Sequence, residues 1–411
     1  MHQSRPPRAS CLAIYSKEAG QVADISGISS QAACSPSKIS TTFSMRIKNW
    51  GIFAFIAGYH ALLLALLPAL IKIFTWEVAA MIVVGWAVGC LSITVGYHRL
   101  FSHRTYKAHP LFEWACLLGS SLAVEASALR WSNDHRIHHS HVDTDKDPYC
   151  IKKGFWYAHI LWMFQYRKDI NERLVSDLLK NPRVAFQDRH YGLFTIAVNL
   201  AFFGIGCLFM EPFAAFAGGC LLRLFVIHHC TWFINSLAHV WGARTYAKEQ
   251  TAADNAFMAL LTFGEGYHNY HHAIATDYRN GVRWYHFDPS KWIIWMASKL
   301  GWTKDLKWVS DVKVRQSLVS KDKRMILECL RNEIDETASE FRQKMEDLAE
   351  AYHSKATLLN KKLRQMREES EEQRQHLLKE VRELKKELRY LWKSWVALTS
   401  EMTRQYRVGH A

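Results

Sequence analysis

Two copies of the pattern His-x-x-His-His stand far apart in this chain: His135, His138 and His139 in HRIHH, and His268, His271 and His272 in HNYHH. With 21 histidines in 411 residues, chance supplies roughly 0.05 such patterns, so coincidence is a poor account of two. Each residue of an α-helix advances about 100°, which puts positions i, i+3 and i+4 within one face. Each box is therefore expected to aim its three imidazoles at a single point. Imidazole suits zinc, copper, iron and nickel, whereas a site with many histidines and few carboxylates or thiolates does not suit calcium or magnesium. A polyhistidine metal centre follows.

Two further elements offer ligands. His98 and His103 stand in HRLFSH, and Asn235 and His239 in FINSLAH. Asn235 and His239, at i and i+4, are expected on one helical face. His98 and His103, at i and i+5, lie about 140° apart on a regular helix. They are expected to point differently, and to serve different metal ions, unless the helix ends between them. The nine cysteines (Cys11, Cys34, Cys90, Cys116, Cys150, Cys207, Cys220, Cys230 and Cys329) form no C-x-x-C pair. That argues against a thiolate site or a secreted disulfide scaffold.

The elements that must position these groups are apolar. The mean hydropathy of −0.14 hides strong segregation. Runs over 51–73, 77–97, about 191–209 and about 212–234 are each long enough to cross about 30 Å of hydrocarbon. They read as two transmembrane hairpins, the second broken at Glu211-Pro212. Arg99, Arg104 and Lys107 follow the second run, and Arg183 and Arg189 precede the third, so the positive-inside rule puts both termini and the histidine boxes in the cytoplasm. The stretch 111–129 is apolar but carries Glu113 and Glu125, and reads as a helix on the membrane face. The net charge of +14 comes with no nucleic-acid motif, so a membrane surface or a phosphate-bearing substrate fits better than nucleic acid.

Residues 1–44 are rich in Ser, Ala and Gln and read as a disordered extension, with a typical membrane-protein start at Met45. The intervening stretch, 45–316, is the candidate membrane domain. Residues 317–411 form a helical tail. In the tail Leu377, Val381, Leu384, Leu388, Leu391, Trp395, Leu398 and Met402 alternate steps of four and three, the seam of a coiled coil. Leu327, Leu330, Ile334, Phe341, Met345, Leu348 and Tyr352 repeat it less regularly. Such a stripe needs a partner, and self-association is the simplest supply.

The phrases VGYHRLFSHRTYKA, RWSNDHRIHHSHVDTDKDPY, KKGFWYAHILW, TWFINSLAH and GEGYHNYHHAIATDYRNG together resemble the membrane fatty-acyl desaturases, specifically the acyl-CoA Δ9 (stearoyl-CoA) branch. The resemblance runs from about Trp50 to about Leu306. It implies an all-α multi-pass membrane protein, with four transmembrane helices beneath a cytoplasmic helical cap. It implies two iron ions held by His98, His103, His135, His138, His139, His239, His268, His271 and His272, with Asn235 acting through a bound water. It implies a long acyl-CoA or other acyl substrate, O2, and electrons from an external donor, a cytochrome-b5-type protein or a ferredoxin with its reductase. By the same resemblance Trp131, Thr231 and Trp232 line or bend the acyl tunnel, and Lys152 and Lys153 lie near the CoA phosphates. Asn133 stands where relatives carry a basic residue. The tail carries no His-Pro-Gly-Gly heme motif.

Other residues have plainer readings. Glu265 and His268 spell the E-x-x-H of carboxylate di-iron bundles, but Glu350 and His353 spell it too, in the tail. His228 and His229 fit packed, hydrogen-bonded residues. His109, His159, His190 and His286 have no partners at ligand spacing and fit surface or supporting roles. Asp143, Asp145 and Asp147 fit equally well carboxylates that orient imidazoles from behind and a solvated loop. The rival readings are an acyl-lipid desaturase or a hydroxylase built on the same irons, and, from another class, a membrane scaffold or metal transporter. Transporters place polar ligands within their spans, whereas these cluster in loops and at helix ends.

Overall fold

The computed structural model describes residues 47–165, 169–331 and 336–406, so the expected N-terminal extension lies outside the described residues. The chain divides into two compact units between Trp308 and Val309. A cut at 316/317 would fall inside a helix, Asp311–Cys329.

Helix is the main secondary structure of the first unit. In chain order its main helices, besides the single turn Ser176–Leu179, are α1 (Trp50–Lys72), α2 (Trp76–Ser102), α3 (Pro110–Ser121), α4 (Ala128–His141), α5 (Phe155–His159), α6 (Pro182–Arg189), α7 (Tyr191–Gly206), α8 (Pro212–His239), α9 (Ala256–Leu261), α10 (His268–Ala273) and α11 (Pro289–Lys299). One two-stranded antiparallel ladder, β1 (Lys107–Ala108) with β2 (Thr303–Lys304), ties the end of α2 to the segment after α11. Among the described residues, α1, α2 and α8 are long and apolar enough to cross a membrane. The third apolar run forms a shorter helix, α7, of 16 residues, about 24 Å long.

Local chemistry fixes these bounds. Asn49 caps α1 by accepting from the Ile52 amide at 3.2 Å, and Ser127 caps α4 by accepting from Arg130. The stretch 111–129 is not one helix. It breaks after Ser121, and Val124 and Ala126 take left-handed backbone angles (φ 54° and 76°). Glu113 is neutralised by Arg183 at 2.6 Å. Arg223, deep in α8, is buried too. Its guanidinium donates to the carbonyls of Gly219 and Leu122 and to Asn199 Oδ1 at 2.5–2.7 Å. A buried cation that spends its donors this way pins α7 and the end of α3 to α8.

Two helices depart from α geometry. The last ten residues of α2, Ile93–Ser102, and Ala215–Leu222 within α8 are π-helical. π segments are rare and recur at functional sites.

The second unit contains α12 (Asp311–Cys329), α13 (Glu336–Gln365) and α14 (Glu371–Tyr406). α13 and α14 run antiparallel, with Lys355–Glu387 and Lys362–Glu380 paired at 2.7 Å. The seam residues Val381, Leu384, Leu388, Trp395, Leu398 and Met402 are buried in one core with Val319, Ile326, Phe341, Met345, Tyr352 and Leu359. The partner that the sequence assigned to a second copy is thus supplied by the chain's own helices. Ile334 lies outside the described residues.

This division is testable. A chain ending at Trp308 is expected to keep its helical content and bound metal, while the fragment from Val309 onward stays helical by circular dichroism. Loss of metal from the truncated chain at normal expression would place the boundary elsewhere.

Candidate metal centre

Nine imidazoles gather into two groups, each with its ligand atoms within 4.8 Å of one another. One holds His98, His103, His135, His139 and His271. The other holds His138, His239, His268 and His272. The boxes are therefore split, and the expectation that each aims at a single point is corrected. In each box the i and i+4 histidines (135 and 139, 268 and 272) share a group, while the i+3 histidine joins the other. Helical geometry explains this, because i+4 lands about 40° past the starting direction whereas i+3 falls about 60° short of it.

His98 and His103 share a group, against the expectation that they would serve different ions. The π turn brings them together. The His103 amide donates to the His98 carbonyl at 3.0 Å, an i→i+5 bond, and their rings meet at 4.9 Å. The i, i+4 reading of Asn235 and His239 also fails: the regular helix ends at Asn235 and a 3₁₀ turn, Leu237–His239, follows. His239 joins the four-histidine group, whereas Asn235 lines the adjoining cavity.

The ring nitrogens meet mostly through Nε2. The pairs are His98–His271 at 2.9 Å, His103–His135 at 2.8 Å, His139–His271 at 3.0 Å, His138–His272 at 3.3 Å, His239–His268 at 3.1 Å and His268–His272 at 3.1 Å. Behind them, acceptors fix the tautomers. His138 donates from Nδ1 to Asp147 at 2.9 Å. His239 donates from Nδ1 to Thr251 Oγ1 at 2.7 Å, because the Thr251 hydroxyl is committed to Asp143 at 2.6 Å. Glu265 Oε2 lies 2.7 Å from His98 Nδ1. Each of these three histidines then presents a lone pair at Nε2.

These residues fit a bound metal. In the four-histidine group the series His138, His272, His268, His239 has a fixed lone pair at both ends. No placement of protons satisfies all three contacts, but a cation does. Ligands at right angles around a metal with bonds of about 2.1 Å stand roughly 3.0 Å apart, which is the spacing seen. Burial, reinforced by mutual repulsion, holds His103, His135, His139, His268, His271 and His272 well below the ordinary histidine range, so they are neutral and able to coordinate.

Glu265 belongs to neither group. Burial opposes its charge, but His98 and the Arg99 guanidinium hold its carboxyl below the usual range. Arg99 donates to it at 3.0 Å and bridges to Asp288. Two glycines place it. Gly264 has φ 109°, and a side chain at Gly266 would strike the backbone of Ala259 at 2.1 Å. The sequence discounted Glu265 as a ligand, and it stands in neither group; its contact with His98 was not marked. Thr251 and Tyr149 went unmarked; the Tyr149 ring stacks on His138 at 4.5 Å. Of the three aspartates, Asp147 backs His138 directly and Asp143 acts on His239 through Thr251, whereas the Asp145 carbonyl accepts from Lys153 at 3.2 Å. His228 and His229 are packed and hydrogen-bonded. His159 is fully buried rather than on the surface.

A cavity of about 510 Å³ adjoins both groups. Ile52, Phe55 and Ile56 of α1 line its apolar part, and His98, His135, His138 and His268 reach it. Trp131, Thr231 and Trp232 line it as well. Trp131 Nε1 donates to Glu125 at 3.4 Å and its ring stacks on His135. Burial pushes the Glu125 carboxyl up to about 7. Lys152 and Lys153 stand on the turn Ile151–Lys153, outside the cavity lining.

Two predictions follow from this geometry. Asp147→Asn or Glu265→Gln is expected to weaken metal binding by about 10- to 100-fold in a titration of purified protein; unchanged affinity would remove the orienting role. The six depressed histidines bind more protons unfolded than folded below pH 6.5. The stability of the metal-free protein is therefore full above that pH and falls as the pH is lowered. A melting temperature that is flat from pH 7.5 to 5 would contradict this.

Comparison with known proteins agrees with the site. The Fatty acid desaturase family model matches residues 74–300. A probable acyl-CoA desaturase of Schizosaccharomyces pombe is 38% identical over 68% of this chain and 60% of its own length. Acyl-CoA desaturase 1 of Saccharomyces cerevisiae is 38% identical over 66% of this chain and 52% of its own. The match thus spans little more than half of these yeast relatives. An sn-2 palmitoyl-lipid 9-desaturase of Nostoc is 34% identical over 62% of this chain and 89% of its own length. The chain belongs to the fatty acid desaturase family.

Proposed function

We propose that this chain is a fatty-acyl desaturase that places a cis double bond, at position 9, in a long saturated acyl chain carried on coenzyme A. The observation that carries the proposal is the cavity, whose lining combines Ile52, Phe55 and Ile56 of α1 with imidazoles of both histidine groups. The names of the yeast relatives support the CoA carrier, and that of the Nostoc relative supports position 9.

The proposed cofactor is two iron ions, one in each histidine group, with Asn235 acting on the four-histidine side through a water. When bound, they supply the O2-derived oxidant that removal of hydrogen from an unactivated methylene requires. Two hydrogens leave neighbouring carbons, and with two electrons and two protons from outside, dioxygen leaves as two waters. The chain's own residues hold and exclude. Asp147, Thr251 and Glu265 keep their imidazoles aimed. Trp131, Thr231 and Trp232 confine the acyl chain so that one carbon pair lies at the centre. Lys152 and Lys153 are assigned to the phosphates of the carrier, and a separate one-electron carrier protein is the proposed donor. In this reading α7 is the fourth span, and the histidines and both termini face the cytoplasm.

The test is expression in cells lacking their own 9-desaturase, with fatty acids resolved by gas chromatography. Wild-type chain is expected to yield 9-unsaturated product, and His271→Ala, at equal membrane level, only the background of untransformed cells. Product from His271→Ala at the wild-type level would contradict the assignment.

A further inference from the structure

Away from the metal centre, four histidines surround one indole. Trp232 of α8 is 4% exposed and forms part of the cavity wall. His228 stacks on it at 4.9 Å with 27° between the rings. His229 and His159 meet it edge-on at 5.0 and 5.8 Å, and His60 of α1 lies nearly parallel at 6.3 Å.

Three of these rings are joined in a line. His60 Nδ1 donates to the Ile56 carbonyl at 2.8 Å, which leaves Nε2 as an acceptor. That atom faces His229 Nε2 at 3.1 Å, so His229 donates there and accepts at Nδ1 from His159 Nε2 at 3.0 Å. His159 Nδ1 lies 3.0 Å from Ser236 Oγ, whose hydroxyl donates to the Trp232 carbonyl at 3.0 Å. Each ring nitrogen in the line has a polar neighbour, from the Ile56 carbonyl at one end to Ser236 and the Trp232 carbonyl at the other. Burial pulls His159 down to about 4 against a bond to the Trp232 backbone, so this member is uncharged at neutral pH.

The line differs in kind from the metal groups. There, several Nε2 atoms converge on a common point; here both nitrogens of each ring are spent on neighbours in sequence. A half-buried line of side-chain contacts of this sort restrains the rings and elements it joins. It spans α1, α5 and α8 and ends at Ser236, beside Asn235 and three residues before His239. What it encloses is the indole that walls the cavity.

We propose that His60, His229 and His159 are positioning residues for Trp232, and that through the indole they set which carbons of a bound acyl chain lie at the histidine centre. The proposal rests on the desaturase reading above. The full chain, wild type and variant, is expressed in desaturase-deficient cells for product position and chain length. Purified protein is assayed for metal content and for its melting shift with saturated acyl-CoAs of increasing length. His229→Leu is expected to change the ratio of products by about fivefold, the factor one neutral hydrogen bond supports, with metal content unchanged and the length dependence of melting flattened. His229→Gln, which keeps a donor and an acceptor, restores both toward wild type. Should His229→Leu fail to fold, His60→Phe removes the end of the line while keeping a ring against Trp232, with the same expectation. Wild-type product ratios and length dependence in His229→Leu would overturn the proposal, as would loss of metal. A wild-type chain that makes no unsaturated product would defeat the desaturase reading, and the length dependence of melting would still decide the positioning claim.

Discussion

The Nε2 atoms of His138, His239, His268 and His272 face one another across 3.1–3.3 Å, with the lone pairs of His138 and His239 fixed there by acceptors behind them. Left alone, such an arrangement repels itself. Protons cannot relieve every contact, and burial makes charging the rings costly. Only a cation at the focus turns the repulsion into attraction. The rest of the first unit is shaped by the need to hold imidazoles in this state until a metal arrives. Buried carboxylates stand behind the rings, Arg99 keeps one of those carboxylates in place, and glycines let the loop bearing Glu265 close onto α9.

Much of the centre was legible because helices make spacing into geometry. HRIHH and HNYHH declare ligands, and all nine histidines marked in the sequence reach one of the two groups. What spacing left hidden was the division between the groups. A face wide enough to hold i, i+3 and i+4 is also wide enough to address two foci. His98 and His103 were misjudged because a regular helix was assumed, and the sequence carries no signal for the π turn that closes i to i+5. Thr251 was invisible for a related reason: its contact with His239 depends on a loop whose path no local pattern encodes. Apolar runs gave α1 to within a residue and the starts of α2 and α8, which continue five residues past their runs, while α7 ends early at Gly206.

The second unit makes a similar point about partners. Heptad spacing in α14 correctly announced a buried stripe, yet spacing is silent on whether the covering helix belongs to the same chain. Here α13 folds back antiparallel and supplies it, with Trp395 and Met402 as deeply buried as any residue of the first unit's core.

In the proposed holoprotein the two histidine groups hold two irons through nitrogen and oxygen alone. X-ray absorption at the iron edge, with elemental analysis on the same purified chain, tests it most directly. Two iron atoms per chain are predicted, each with nitrogen or oxygen neighbours at about 2.1 Å and no sulfur neighbour. One metal per chain, none, or a sulfur neighbour at about 2.3 Å would contradict it.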